Sequence, residues 1–295
     1  MPLKSVNMNK LLLTLMFVSF LKVNSQNPVQ QFNFDGNTSN SDKTITFLGS
    51  STFASDRNGV ANGAIRLTNK FLQTVVGDLP QDNKPRSISV WVKFNAIATV
   101  NYIFGYGSPV NGQYFGLVQQ AATGSNSDLS LAGWGTANNV IVSTPLAKGV
   151  WYQYSVTYDG TTSKIYRNGE LLKSSDAIAR STKGYILKIG QMNTALGINA
   201  DIDDLKIYNV AMTDEQVMES YTSSKPAEVV AEKVVTAKKG TADIKTDLKN
   251  APEGNVVAKK VEVFSQGKKI IRNNTTNISD LPEGTYLLKI TNGQN

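Results

Sequence analysis

The chain contains neither histidine nor cysteine. Proton transfer and ligand binding therefore fall to carboxylates, hydroxyls, amides, tyrosines and lysines. Nucleophile–histidine pairs, thiolate metal centres and a disulfide framework are excluded. Between residues 26 and 224 the carboxylates include three glutamates, Glu170, Glu215 and Glu219, and the cluster Asp201, Asp203, Asp204. Glycosidic hydrolysis needs two carboxyl groups flanking one bond, about 5–5.5 Å apart for retention or about 6.5–9.5 Å for inversion. Glu170 falls in an expected hairpin turn, and Glu215 and Glu219 fall on an expected helix. No glutamate is expected on a strand lining a concave face, so hydrolysis is not the expected chemistry. A second constellation reads differently. Tyr102, Phe104, Tyr106, Tyr114, Phe115 and Trp134 interleave with Asn101, Asn111, Gln113, Gln119 and Gln120. Aromatic faces among amides suit a ligand rich in hydroxyl groups. Trp134, Tyr106, Tyr114 and Gln113 are the candidate ligand residues, with Trp134, between Gly133 and Gly135, as the expected exposed platform. The alternative is that most of these rings are core, which is expected for Trp91 and Trp151.

The elements that must position these residues are strands. Ser87 to Phe94 alternates, with Ile88, Val90, Val92 and Phe94 on one face. Trp151 to Tyr158 alternates and ends at Asp159-Gly160. Lys164–Arg167 and Glu170–Leu172 flank Asn168-Gly169, the signature of a type I′ hairpin. Tyr185–Gly190 and Ile202–Tyr208 are further strands. Many short strands with Gly, Asn and Asp turns predict an all-β protein, a jelly-roll β-sandwich. One helix follows, with Thr213 as N-cap, Gln216 completing a capping box, and Val217 and Tyr221 sharing a buried face. Residues 223–235 read as a linker. From 236 to 295 a second, small β-sandwich is expected, with strands at Val261–Phe264, Gly267–Ile271 and Gly284–Ile290.

The formal charge of +7 is uneven. Residues 26–224 hold 15 basic and 15 acidic side chains, and the excess lies at the two ends. A neutral centre argues against nucleic acid as a partner. Residues 1–25 place Lys4 and Lys10 before the apolar run Leu11–Leu21, with Ser25 as a small residue before Gln26, and Met8 offers an alternative start. This predicts a secretory signal peptide; the run is short for a membrane crossing of about 20 residues. No transmembrane segment is expected after cleavage.

Residues 31–221 resemble the laminin-G-like jelly roll of the concanavalin A-like lectin/glucanase superfamily. The resemblance is carried by Phe32–Asn37, Asn62–Leu67, Ile88–Lys93, Trp151–Gly160, Tyr166–Gly169 and Ile202–Asn209 followed by the Thr213 helix. It implies a structural calcium tying the opening segment to the closing strand, through Asp204 with backbone oxygens near Asp35 and Gly63. The alternative is that Asp203 and Asp204 accept hydrogen bonds within the fold. Residues 236–295 resemble a partial C-terminal sorting domain of the type IX secretion system of Bacteroidota. The carriers are Val263–Ile270, Ile278–Tyr286 and Leu288–Ile290, without the Tyr-Pro-Asn-Pro-like opening. That resemblance implies the secretion machinery as a partner. The expectation is a secreted or cell-surface module, without catalytic activity, that binds a glycan or cell-surface polysaccharide. A structural or protein-binding adhesin is the alternative, and a glycoside hydrolase the second alternative.

Overall fold

The computed structural model describes residues 26–226 and the strand segments 231–237, 259–265, 268–269 and 284–292. The chain divides into two compact units between Lys225 and Pro226. The first unit contains, in chain order, β1 (Gln30–Phe32), β2 (Leu48–Gly49), β3 (Thr52–Ala54), β4 (Ala64–Thr68), β5 (Leu72–Val75), β6 (Arg86–Phe94), β7 (Asn101–Gly107), β8 (Tyr114–Gln119) and β9 (Asn126–Ala132). Then follow β10 (Val140–Pro145), β11 (Trp151–Tyr158), β12 (Ser163–Arg167), β13 (Glu170–Ser175), β14 (Ile186–Ile189), β15 (Gln191–Met192), β16 (Ala195–Leu196), β17 (Asn199–Tyr208) and the helix α1 (Asp214–Ser224).

Two antiparallel sheets carry the unit. The eight-stranded sheet runs β13-β12-β11-β6-β17-β4-β3, with β1 also on β17; the seven-stranded sheet runs β10-β9-β8-β7-β14-β5-β2. The expected jelly-roll sandwich is therefore present. Alternation decides which side chains enter it. Ile88, Val90, Val92 and Phe94 from β6 meet Phe104, Tyr106, Phe115 and Leu117 from β7 and β8 in one apolar core. The β12–β13 hairpin turns at Asn168 and Gly169, with φ of 53° and 82°. A type I′ turn requires this pair of positive angles, and Asn-Gly adopts them at least cost.

The other face of the eight-stranded sheet is covered by α1. Thr213 accepts from the Gln216 amide, and the Gln216 side chain accepts from the Thr213 amide, closing the capping box. Val217 is buried with Tyr166, Tyr208 and Met212, and Tyr221 lies 5.8 Å from the Trp91 ring. Trp91 is buried as expected, whereas Trp151 is half-buried beneath the Lys93 ammonium, 5.1 Å from its ring.

The second unit is, among the described residues, one antiparallel sheet of β18 (Ala231–Ala237), β21 (Gly284–Asn292), β19 (Lys259–Ser265) and β20 (Lys268–Lys269), in that order. Its β18 occupies the second part of the expected linker 223–235. The run Ala-Glu-Lys-Val-Val-Thr-Ala looks too polar for a strand in isolation, but it finds a seven-residue ladder on β21. Residues 1–25, and with them the expected signal peptide, lie outside the described residues, as do Ile270, Ile271 and 278–283.

Candidate functional site

The outer face of the seven-stranded sheet is the surface that the aromatic and amide residues build. Register fixes a row across it: Leu48 opposite Gln73, Gln73 opposite Lys188, Lys188 opposite Gly105, Gly105 opposite Gly116, and Gly116 opposite Ala132. The two glycines leave a trough at mid-row. The Tyr114 ring fills it: a Cβ added to Gly105 would lie 2.0 Å from the Tyr114 hydroxyl, and one on Gly116 would lie 2.6 Å from the ring. Trp134, just past the end of β9, meets Tyr114 edge-on at 5.8 Å. Tyr102, Val118 and Met192 complete this outer cluster. Exposed Val75 and Ile186 oppose each other on the same face, and Ile141 is exposed at its β10 side.

The candidate ligand residues separate on this geometry. Trp134 is half-buried rather than a free platform: it takes a left-handed φ of 63° and leans on Tyr114. Tyr114 is 4% exposed and is the floor of the face, not a stacking surface. Tyr106 is 1% exposed and points into the sandwich. Its hydroxyl accepts from Arg86 Nη1 at 2.9 Å and donates to the Pro80 carbonyl at 2.8 Å, and burial pushes its pKa up to about 12. The reason is a register shift in β7 between Tyr102 and Phe104. It breaks the period of two, so Tyr102 faces out while Phe104 and Tyr106 both face in. Gln113 is half-buried in the β7–β8 connection, where its carbonyl accepts from the Ser108 and Lys183 amides. Tyr102, which the candidate set omitted, belongs to the face.

The aspartate cluster is organised by an arginine. β17 shifts register between Asp203 and Lys206, and Asp204 takes φ of 46°. Arg57, from the β3–β4 loop, donates through Nη1 to Asp203 Oδ2 and through Nη2 to Asp204 Oδ2 at 2.7 Å. Its Nε donates to the Ser224 carbonyl at 2.7 Å, and its guanidinium lies 4.9 Å from the Trp91 ring centre. Burial, followed by the neighbouring Asp204 charge, raises the Asp203 carboxyl, and the Arg57 guanidinium opposes them and favours the ionised form. Two residues upstream, Asp201 accepts from Arg66 Nε at 2.6 Å and Nη2 at 2.8 Å, and pairs with Lys93 at 2.9 Å.

Calcium is expected at Asp204 with backbone oxygens near Asp35 and Gly63. Asp35 and Gly63 do line one shallow pocket with Asp56 and Asn62. Burial first, then the Asp204 and Asp56 charges, raise the Asp35 carboxyl. Asp204 is engaged by Arg57, and Asp56 accepts from the Asn58 and Val60 amides through Oδ1. Among the described residues no group of three or more acidic side chains is placed to hold a metal ion. A hard cation takes 6–8 oxygens; the Asp35 carboxylate and the backbone carbonyls that line this pocket are what the segment could offer one, with Asp204 held by Arg57.

The three glutamates end up together. Glu170 opens β13, and with Glu215, Glu219, Asp214 and Met218 it lines a groove of about 580 Å³ between the hairpin and α1. No local pattern announces this, because the groove is made by packing a helix on a hairpin tip. Lys164 and the Tyr166 hydroxyl hold Asp214 low, and Glu215 is held low by its own backbone amide and by Thr213. Neither of these two can serve as a protonated acid near neutral pH.

Residues 66–218, just over half of the chain, match the family described as the concanavalin A-like lectin/glucanases superfamily. No curated protein matches the sequence. Among solved structures, domain 4 of AbnA, a GH43 extracellular arabinanase from Geobacillus stearothermophilus in complex with arabinotriose, aligns at 22% identity and TM-score 0.55, covering 66% of this chain and 98% of that one. A botulinum neurotoxin type C structure, whose cell entry depends on two ganglioside molecules, aligns at 13% identity and TM-score 0.51, covering 70% of this chain and 53% of that one. The binding domain of Paraclostridial Mosquitocidal Protein 1 aligns at 11% identity and TM-score 0.52, covering 71% and 58%. At these identities the structures share the fold, and with the family match across its sandwich the chain belongs to the concanavalin A-like lectin/glucanase superfamily.

Proposed function

We propose that the chain is an exported binding module that holds a glycan on the outer face of its seven-stranded sheet and does not cleave it. One observation carries the reading. That face presents the half-buried rings of Tyr102 and Trp134 over the Tyr114 floor, beside Gln73, Ser130 and Lys188, while Asp128 is the one carboxylate among the strand residues of the sheet. Rings and amides suit sugar binding, and a lone carboxylate cannot supply the acid–base pair of hydrolysis. The family includes both lectins and glucanases, and the arabinanase domain was solved with arabinotriose, so a sugar ligand is in keeping with both. The glutamate groove marks where a hydrolase reading would have to place its chemistry; a protein-binding adhesin would use the same outer face without sugar selectivity. Export rests on residues 1–25, and a role for the C-terminal unit with the type IX secretion machinery rests on its sequence resemblance.

The full chain, incubated with a panel of insoluble polysaccharides, should retain at least one of them and release no reducing ends. Trp134→Ala should lose retention at least tenfold while the sandwich stays folded, its melting temperature falling only by the few degrees that the lost packing on Tyr114 costs. Reducing ends that disappear in Glu170→Gln or Glu219→Gln would overturn the reading in favour of a hydrolase. Retention unaffected by both Trp134→Ala and Tyr102→Ala would remove the site from this face.

A further inference from the structure

Two arginines lie between the sheets without a carboxylate partner among the described residues. Arg86 is fully buried and Arg180 is 3% exposed. Both stack on the same two rings: the Arg180 guanidinium lies 5.2 Å from the Phe115 centre and 5.6 Å from Tyr158, and Arg86 lies 5.3 and 5.6 Å from them. Arg86 is satisfied by neutral groups, donating to the Lys84, Gln81 and Asp82 carbonyls and to the Tyr106 hydroxyl. Arg180 donates only through Nε, to Ser163 Oγ at 3.1 Å; both Nη1 and Nη2 are buried without a protein acceptor among the described residues.

A third unpartnered group sits on the same segment. Arg180 and Thr182 are buried while Ala179, Ser181 and Lys183 are exposed, so the two side chains share the inward face of an extended stretch. The Thr182 Oγ1 also has no partner among the described residues. The stretch is held from both sides. Ser181 and Lys183 donate to the Gly112 and Gln113 carbonyls, and Thr182 exchanges backbone bonds with Asp82. Gly133 lies against the guanidinium, where a Cβ would come within 2.7 Å of Nη1.

We propose that Arg180, with Thr182, binds a small monovalent anion of halide size between the two sheets. A guanidinium keeps its charge at neutral pH, so the positive charge cannot be shed. Burial, then the Arg86 charge, lower its pKa only to about 10. Leaving such a charge unpaired in the interior is costly, and among the described residues no carboxylate pairs with it. Two guanidinium N–H groups and a hydroxyl form a donor set for an anion. The enclosure of these atoms restricts the ligand to one without a bulky substituent. A weakly hydrated halide meets that restriction and matches a weakly hydrated guanidinium.

The test is the melting temperature of the full chain at fixed ionic strength, replacing sodium gluconate stepwise with sodium chloride or bromide. General salt effects are the same in wild type and in single-residue variants, so the difference reports the site. The expected result is a saturable rise of several degrees in wild type, absent in Arg180→Lys and shifted at least tenfold to higher halide in Thr182→Val. The threonine variant keeps the test decisive if the arginine variant fails to fold. Crystals grown in bromide should give an anomalous peak within hydrogen-bonding distance of Nη1 or Nη2. Equal halide responses in wild type and Thr182→Val, or bromide crystals with no such peak, would overturn the proposal.

Discussion

Arg57→Met removes the cation that joins the β3–β4 loop to β17 and α1. Arg57 and Asp203 are 9% and 4% exposed at their side chains, so this pair is buried; Asp204, at 16%, is partly screened. Removing one partner of a buried pair costs about 3–5 kcal/mol, because the other charge is left unpaired. The bond to the Ser224 carbonyl and the stacking on Trp91 are lost with it. For a unit of this size, about 2–4 °C of melting temperature accompanies each kcal/mol, which gives a fall of about 10 °C by calorimetry. Asp203→Asn in the same background removes the orphaned charge and should recover about half of the loss. Because the guanidinium already answers these carboxylates, excess chelator should leave the wild-type melting temperature unchanged. A fall below 2 °C in Arg57→Met, or a chelator-sensitive wild type, would refute the assignment of Arg57 as the counter-charge.

Further outcomes follow from the same packing. Gly105→Ala should destabilise by about 1–3 kcal/mol in denaturant titration, since its Cβ meets the Tyr114 hydroxyl at 2.0 Å and the ring must leave its trough; an unchanged midpoint would show that the ring can shift freely. Thr213→Ala should cost about 1 kcal/mol through loss of the α1 cap, read by the same titration. Burial raises the Asp201 carboxyl, but Arg66, Lys93 and Asn95 outweigh it and bring the group below its ordinary value. A depressed folded-state pKa means that its stabilisation is complete above the unfolded value, about 3.9, and is lost as pH falls through the folded value. The acid limb of the melting profile should therefore move to higher pH in Arg66→Gln, and superimposable profiles would refute the coupling.

The elements legible in the sequence are those whose signal is local. Alternation from Ser87 to Phe94 and from Trp151 to Tyr158 gave the right strands, because a sandwich core demands one apolar face per strand. Asn168-Gly169 and Thr213 with Gln216 named their turn and cap through backbone angles and hydrogen bonds that span four residues or fewer. The site was harder to read. Tyr102 and Tyr106 lie four residues apart on β7 and look alike in sequence, yet a single register shift sends Tyr106 inward and leaves Tyr102 on the outer face. Arg57 finds Asp203 across 146 residues, and Glu170 meets Glu219 only because a hairpin tip packs on a helix. Nothing in the sequence around Arg180 marks its burial, and an arginine there is read by default as solvated.

The place of β17 between β6 and β4, with β1 on its far end, bears on the order in which the sheet can be assembled. Among the described strands β1 pairs only with β17, so Gln30 must wait for Ile207 to be synthesised. At roughly 5–20 residues per second this delay is about 10–35 s. Until then the amino-terminal strands present open edges and the two halves of the eight-stranded sheet cannot join. The eight-stranded sheet is therefore completed only once β17 is made, and a substitution that slows pairing at β17 should lengthen the life of a chain with open strand edges without removing any contact from the finished fold.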